Sequence, residues 1–277
     1  MKRKIAIVGA TGGLGKEICF KFAEKDADLI FLGRSQNKMK FLADEINSKF
    51  PNCKIDFVEL DLTEIDSVKK ACDTLEEISF DTIVLNAGVY NVPRFVTNTG
   101  FENIFQVNFV SQYYIACRML EKFRKQKDCH IVAVGSVAYN YSKCDFEDID
   151  FKSRKKASKV YGNSKRFLMF SLYKLFENEK NVKLSIVHPG VTLTQMTNHY
   201  PKFINWLVKI GIKILFPSPK NACRSIVQGA WDSCDSFEWV GPHVFNVWGK
   251  PKKKKIKRCE EEANKVFEIA NSIMKKL

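Results

Sequence analysis

Tyr161 and Lys165 stand four residues apart in the stretch VYGNSKRFLMFSLYKLF, residues 160 to 176. On a helix that spacing puts both side chains on one face, so a phenol and an ammonium address the same point. A phenol with a pKa of about 10 is a poor proton donor or acceptor near neutrality unless its anion is stabilised. A cation one turn away does that. The chemistry such a pair allows is proton transfer to or from a carbonyl or alcohol oxygen, and with it hydride transfer. Spacing alone does not identify the pair. Eight tyrosines in a lysine-rich chain give one by chance, and Tyr139 with Lys143 is a second. Tyr139 sits three residues past Ser136 in a polar stretch without helical periodicity, whereas an apolar helical pattern follows Tyr161.

The elements that must position these groups read as alternating strands and helices. Lys4 to Gly9 is an apolar strand and Gly13 to Lys25 a helix. Between them lie Gly9-Ala10-Thr11-Gly12-Gly13-Leu14-Gly15. Glycines at a first strand-to-helix turn permit a tight bend, and the exposed N–H groups of the helix start can hold a pyrophosphate. The second strand, Asp28 to Leu32, runs into Gly33-Arg34-Ser35. An NAD site usually places a carboxylate there for the ribose 2′-hydroxyl. Arg34, with Ser35 and Lys38 nearby, instead suits a 2′-phosphate and favours NADP(H) over NAD(H); the alternative is a plain surface arginine.

Lys54 to Leu60 is a third strand, ending at Asp61-Leu62, where Asp61 can meet a ligand and can equally cap the helix starting near Glu64, two compatible roles. Asp81 to Leu85 is a fourth, closing on Asn86-Ala87-Gly88, whose small residues would let the backbone lie beneath an adenosine ribose. Gly100 to Lys125 reads as one long helix. Asn108 inside it is costly unless paired, either with backbone or with something functional. Cys129 to Val134 is a fifth strand leading to Gly135-Ser136, Ala138 to Lys159 reads as a surface excursion, and Lys183 to His188 is a sixth strand. Apolar strands with short links predict an α/β fold with a doubly wound parallel β-sheet, the Rossmann arrangement, as a single domain over residues 1–277. Tyr200 to Phe216 puts Phe203, Trp206, Leu207, Ile210 and Ile214 on one face. It reads as part of a helical substrate lid over residues 191–220 or as an interfacial membrane helix. Trp239 to Trp248 is a last extended segment, and residues 250–277 read as a basic loop and a closing helix. The stripe Ala263, Val266, Phe267, Ala270, Ile273 and Met274 on that helix should dock on the domain or on a partner subunit.

Composition narrows the classes. Forty-five per cent apolar residues and 22 Phe suffice for a buried core. Nine cysteines without a Cys-x-x-Cys pair indicate reduced thiols in a cytoplasmic protein. His188, His199 and His243 are scattered, with no metal-ligand spacing. The opening apolar run is too short for a signal peptide and no run is long enough to span a bilayer. The net charge of +14 comes without a nucleic-acid-binding motif. Lys252 to Lys255 therefore reads as a solvated loop, and any membrane contact would be weak and peripheral.

Taken in order, GATGGLG, Asp61-Leu62, Asn86-Ala87-Gly88, Asn108, Ser136, Tyr161-x-x-x-Lys165 and Pro189-Gly190 resemble the short-chain dehydrogenase/reductase family over roughly residues 4 to 240. The segments DFEDIDF, PSPKNACRSI and VGPHVFNVWGKPK look like its retinol-dehydrogenase-like branch. The resemblance implies that Ser136 bonds the substrate oxygen and Tyr161 is the acid or base. It implies that Lys165 binds the nicotinamide ribose and stabilises the phenolate, and that Asn108 holds a water of the relay. Pro189, Gly190, Thr192 and Thr194 would border the nicotinamide, with Thr194 fixing its amide. It further implies a small-molecule carbonyl or alcohol substrate and a homo-dimer or tetramer with the Asn108 and Tyr161 helices at the interface. Two positions depart from the family pattern: Val8 replaces a frequent Thr before the loop, and Leu85 replaces the first Asn of NNAG. The expected activity is NADP(H)-dependent interconversion of a carbonyl and an alcohol on an apolar substrate. The rivals are a catalytically silent NADP-binding regulator and an epimerase or dehydratase on the same fold.

Overall fold

Six short strands make the parallel part of the sheet: β1 (Lys4–Val8), β2 (Asp28–Gly33), β3 (Ile55–Glu59), β4 (Thr82–Leu85), β5 (Cys129–Val134) and β6 (Val182–Val187). In the computed structural model, which describes residues 2–140, 143–153, 156–190, 218–232, 238–257 and 259–277, they pair in parallel. β7 (Glu238–Val244) adds to β6 in parallel and β8 (Trp248–Lys255) pairs antiparallel with β7. The sheet order is β3-β2-β1-β4-β5-β6-β7-β8. The order turns back at β1 and β4, so their carboxyl ends open a crevice where sheets of this kind bind ligands.

Alternation along β1 shows why both faces need helices. Ile5 and Ile7 enter the core beneath α1 (Gly13–Glu24), α2 (Gln36–Asn47) and α7 (Pro219–Trp231), while Ala6 and Val8 enter the opposite core. That second core is covered by α3 (Ile65–Glu77), α5 (Ser111–Phe123), α6 (Ala157–Leu175) and α8 (Glu260–Lys276).

Several elements differ from the sequence expectation. The helix expected from Gly100 begins only at α4 (Asn103–Phe105), because the Glu102 carboxylate caps the N–H groups of Ile104 and Phe105. It then passes through a π-helical turn, Gln106–Val110, before α5. Asp61 does not cap α3: the N-cap residue is Glu64, and Asp61 Oδ1 is taken by the N–H and hydroxyl of Thr63. The stretch 138–159 is not wholly a surface excursion, since Tyr139 and Asp150 are buried and Phe146 and Ile149 pack on the core. The lysine run expected as a loop is the edge strand β8, the second arm of a hairpin. The closing helix docks on its own domain, burying Ala263, Val266, Ala270 and Ile273. Arg166 of α6 holds Glu262 of α8 through Nε to Oε1 at 2.9 Å, and Tyr113 of α5 reaches Asn271. The lid expected over residues 191–220 lies outside the described residues up to position 217.

Candidate active site

α6 is buried along most of its length by Phe167, Leu168, Phe170 and Leu172. That burial fixes the helix's rotation and brings Lys165 inside, with only 2% of its surface exposed. Its Nζ donates to the carbonyl of Val134 at 2.7 Å, and burial pulls its pKa down to about 8. An ammonium has three donors, so this bond leaves donors for a ligand. Tyr161 is half-buried, its ring centroid 6.0 Å from Lys165 Nζ and its ring packed edge-on against Tyr90 at 5.3 Å. The strand that supplies the Val134 carbonyl runs on through Gly135 to Ser136. A Cβ on Gly135 would stand 2.9 Å from Met169 Sδ and 3.1 Å from Ile186 Cγ2, so a larger residue there would have to push these side chains aside. Ser136 Oγ, nearly buried, accepts the N–H of Ala138 at 3.2 Å and keeps its own proton to donate.

Asn108 sits in the π-helical turn with no exposed surface. Its Oδ1 accepts from Val89 N–H at 2.8 Å, and its Nδ2 donates to Val89 O at 2.9 Å and to Ser164 Oγ at 3.1 Å. Ser164 in turn donates to the carbonyl of Tyr161 at 2.8 Å. Of the two partners the sequence left open for Asn108, backbone is therefore present, together with a link into the tyrosine helix. A π turn shifts backbone bonding and is frequent at functional sites. Here Gln112 Nε2 reaches the carbonyls of Val107 and Asn108 at 3.2 Å and Ala87 at 2.8 Å. Asn108 and Lys165 converge on Gly88: a Cβ there would be 3.4 Å from Oδ1 and 3.6 Å from Nζ.

The glycine loop lies on the other side of the same crevice. Gly9 has φ +79° and rests against Ala87, and a Cβ on Gly15 would be 2.1 Å from Gly9 O. A Cβ on Gly13 would meet nothing within 4 Å. The start of α1 carries no side-chain cap and no acidic residue in its first turn, so open space meets a positive helix end. That is what a phosphate requires. Asn86 reaches Val8 O and Gly9 O at 3.4 Å, and its Oδ1 is buried without a partner among the described residues. The two departures from the family pattern, Val8 and Leu85, face each other across β1 and β4 and are fully buried.

Arg34 leaves the end of β2 with 72% of its side chain exposed, 3.8 Å from Asp61 Oδ2. Gly33 faces Thr11, whose Oγ1 would be 3.9 Å from a Cβ there. Ser35 caps α2 by accepting the N–H of Lys38 at 3.4 Å, and Lys38 is exposed. Leu62 is buried, its carbonyl taken by Ser111. Pro189 and Gly190 follow β6 at the same carboxyl rim, while Thr192 and Thr194 lie outside the described residues. Tyr139 is a core residue, its ring edge-on to Phe170 and Trp239. Sequence reasoning missed Tyr90, Ser164, Gln112 and the Val134 carbonyl. Only Ser164 had a local signal, lying one turn beyond Tyr161 on the same helix.

Residues 3–204 match the family described as short chain dehydrogenase. Retinol dehydrogenase 13 of Mus musculus is 26% identical over 257 residues, covering 90% of this chain and 74% of the relative. An uncharacterized oxidoreductase of Schizosaccharomyces pombe is 31% identical over 260 residues, covering 88% of this chain and 77% of the relative. Among solved structures, a short-chain dehydrogenase from Sphingobium yanoikuyae in complex with NADPH superposes with a TM-score of 0.63 at 21% identity, covering 82% of this chain and 84% of that one.

Proposed function

The chain belongs to the short chain dehydrogenase family, NAD(P)-dependent oxidoreductases acting between CH–OH and C=O, and we propose that it is an NADP(H)-dependent enzyme for an apolar carbonyl or alcohol. The observation that carries the mechanism is the buried Lys165, anchored to Val134 and one helical turn from Tyr161. In this reading Ser136 donates a hydrogen bond to the substrate oxygen and Tyr161 gives or takes its proton. Lowering a phenol's pKa by two to three units needs about 3–4 kcal/mol of preferential anion stabilisation. A buried ammonium on the next turn supplies charge where solvent does not screen it. Asn108 holds a water of the proton relay through Oδ1, which has a second lone pair and lies beside Gly88.

The residues present fit the dinucleotide. Gly12 and Gly13 would leave the start of α1 open to its phosphates, Asn86 to Gly88 would take its adenosine ribose, and Lys165 would bind the nicotinamide ribose. When bound, the group supplies or accepts the hydride. Arg34, exposed at the end of β2 where Gly33 stands in place of a carboxylate, and held only loosely by Asp61 at 3.8 Å, supports a 2′-phosphate and hence NADP(H). The NADPH in the Sphingobium structure agrees with this, and the retinol dehydrogenases among the relatives support an apolar substrate. The assay is oxidation of NADPH with a panel of apolar aldehydes and ketones. Turnover by wild type with a loss of at least 100-fold in Tyr161→Phe is the expected result. Equal turnover in the two proteins would remove Tyr161 from the mechanism.

A further inference from the structure

The β7–β8 hairpin ends in a tight turn in which Val247 N–H bonds Val244 O at 2.9 Å. Both central residues, Phe245 and Asn246, have positive φ, +48° and +58°. Such turns favour Asn, Asp or Gly at these places, and a phenylalanine there is strained. Phe245 gains no burial in return: it is 84% exposed, and Trp248 across the turn is 43% exposed. The turn is also held firmly. Lys254 Nζ donates to Pro242 O at 2.8 Å and Asn246 Oδ1 at 2.6 Å, and His188 Nε2 meets Asn246 O at 3.2 Å.

Positive charge runs along β8 behind these two rings, from Lys250 near the tip to Lys255, which lies opposite Glu238 at the far end of the hairpin. From Trp239 to Arg258 the chain has no Asp or Glu, while lysines stand at 250, 252, 253, 254, 255 and 257. All of these except Lys254 are exposed. Lysines on an edge strand also block pairing with other sheets, but that role requires no aromatic residues at the tip. An aromatic pair flanked by lysines is the combination that settles at a lipid–water boundary, rings among the headgroups and cations on anionic lipid. β7 runs parallel to β6, so the turn emerges at the carboxyl rim. There Val247 O would be 3.1 Å from a Cβ on Gly190.

We propose that the tip of the β7–β8 hairpin, Phe245 and Trp248 with the lysines of β8, docks the protein on an anionic lipid surface. The crevice rim is thereby turned toward the phase where an apolar substrate resides. This deepens the functional reading above and rests on it for the substrate's location, but lipid binding itself is independent of turnover.

The test is co-sedimentation of the full chain with vesicles of phosphatidylcholine, with and without phosphatidylserine. Wild type should pellet with the anionic vesicles. Each of Lys250→Gln and Lys253→Gln should weaken binding about fivefold, the equivalent of about 1 kcal/mol per lysine. Phe245→Asn should weaken it roughly tenfold or more while leaving the melting temperature unchanged or raised, since asparagine accepts positive φ. Turnover of a water-soluble aldehyde by Phe245→Asn should match wild type, which separates failure of docking from failure of the enzymatic reading. The proposal is overturned if wild type ignores anionic vesicles, or if the Phe245→Asn, Lys250→Gln, Lys253→Gln triple variant still binds them as wild type does.

Discussion

Lys165 gives the sharpest test, because the structure makes it a burden to the fold. Its ammonium is fully buried and burial brings its pKa from 10.5 to about 8. The folded state therefore binds this proton less tightly than the unfolded chain does. Below about pH 8 the lysine is charged in both states and the penalty is fully present; between the two pKa values the folded protein sheds the proton and the penalty fades. A shift of about 2.5 units corresponds to roughly 3 kcal/mol near pH 7. Lys165→Met removes that penalty but leaves Val134 O without its partner, at about 1 kcal/mol. The net expectation is a gain of about 2 kcal/mol, or a rise in melting temperature of roughly 4–8 °C for a chain of this size. Thermal unfolding of the cofactor-free protein measures it, and the gap between variant and wild type should narrow by about 1–2 kcal/mol by about pH 9.5. The same variant should lose turnover. A Lys165→Met protein less stable than wild type at neutral pH, or a gap that ignores pH, would show that the ammonium is not buried at a cost.

The glycine loop separates folding from binding: Gly13→Ala meets open space and should keep its melting temperature while losing affinity for NADPH, measured by cofactor fluorescence. Gly15→Ala, whose Cβ would sit 2.1 Å from Gly9 O, should fail to fold normally by circular dichroism. Arg34→Ala should weaken NADPH binding much more than NADH binding in titrations of both; equal losses would mean that Arg34 does not meet the phosphate. Glu262→Ala breaks an ion pair whose side chains are each 11% exposed. Removing one member of such a pair costs about 3–5 kcal/mol, so the melting temperature should drop by roughly 6–20 °C.

How the parts were legible follows from how local each signal is. The alternation of apolar runs with helical patterns depends on neighbours within a few residues, so the parallel sheet and the glycine turn after β1 were readable directly. Tyr161 with Lys165 was readable for the same reason, since one helical turn is a local fact. Asn108 was legible only as an anomaly, a polar residue needing a partner. Which partner it found depended on the Val89 loop and on Ser164, 56 positions away. The lysines of β8 looked like a loop because their charge hides a strand pattern, and pairing with β7 decided otherwise. Tyr90 gave no signal at all, since its contact with Tyr161 exists only once the loop after β4 meets α6.

The sequence by itself determined the chemistry available: a phenol and an ammonium on one helix face, a glycine-rich turn at a helix start, and a cation where a carboxylate often stands. Tertiary structure decided what state those groups are in. Burial of α6 put Lys165 in a medium that lowers its pKa, the end of β5 brought the Val134 carbonyl to it, and the hairpin set its aromatic tip at the same rim. Such properties depend on dielectric surroundings and on atoms distant in sequence, which spacing along a chain does not encode.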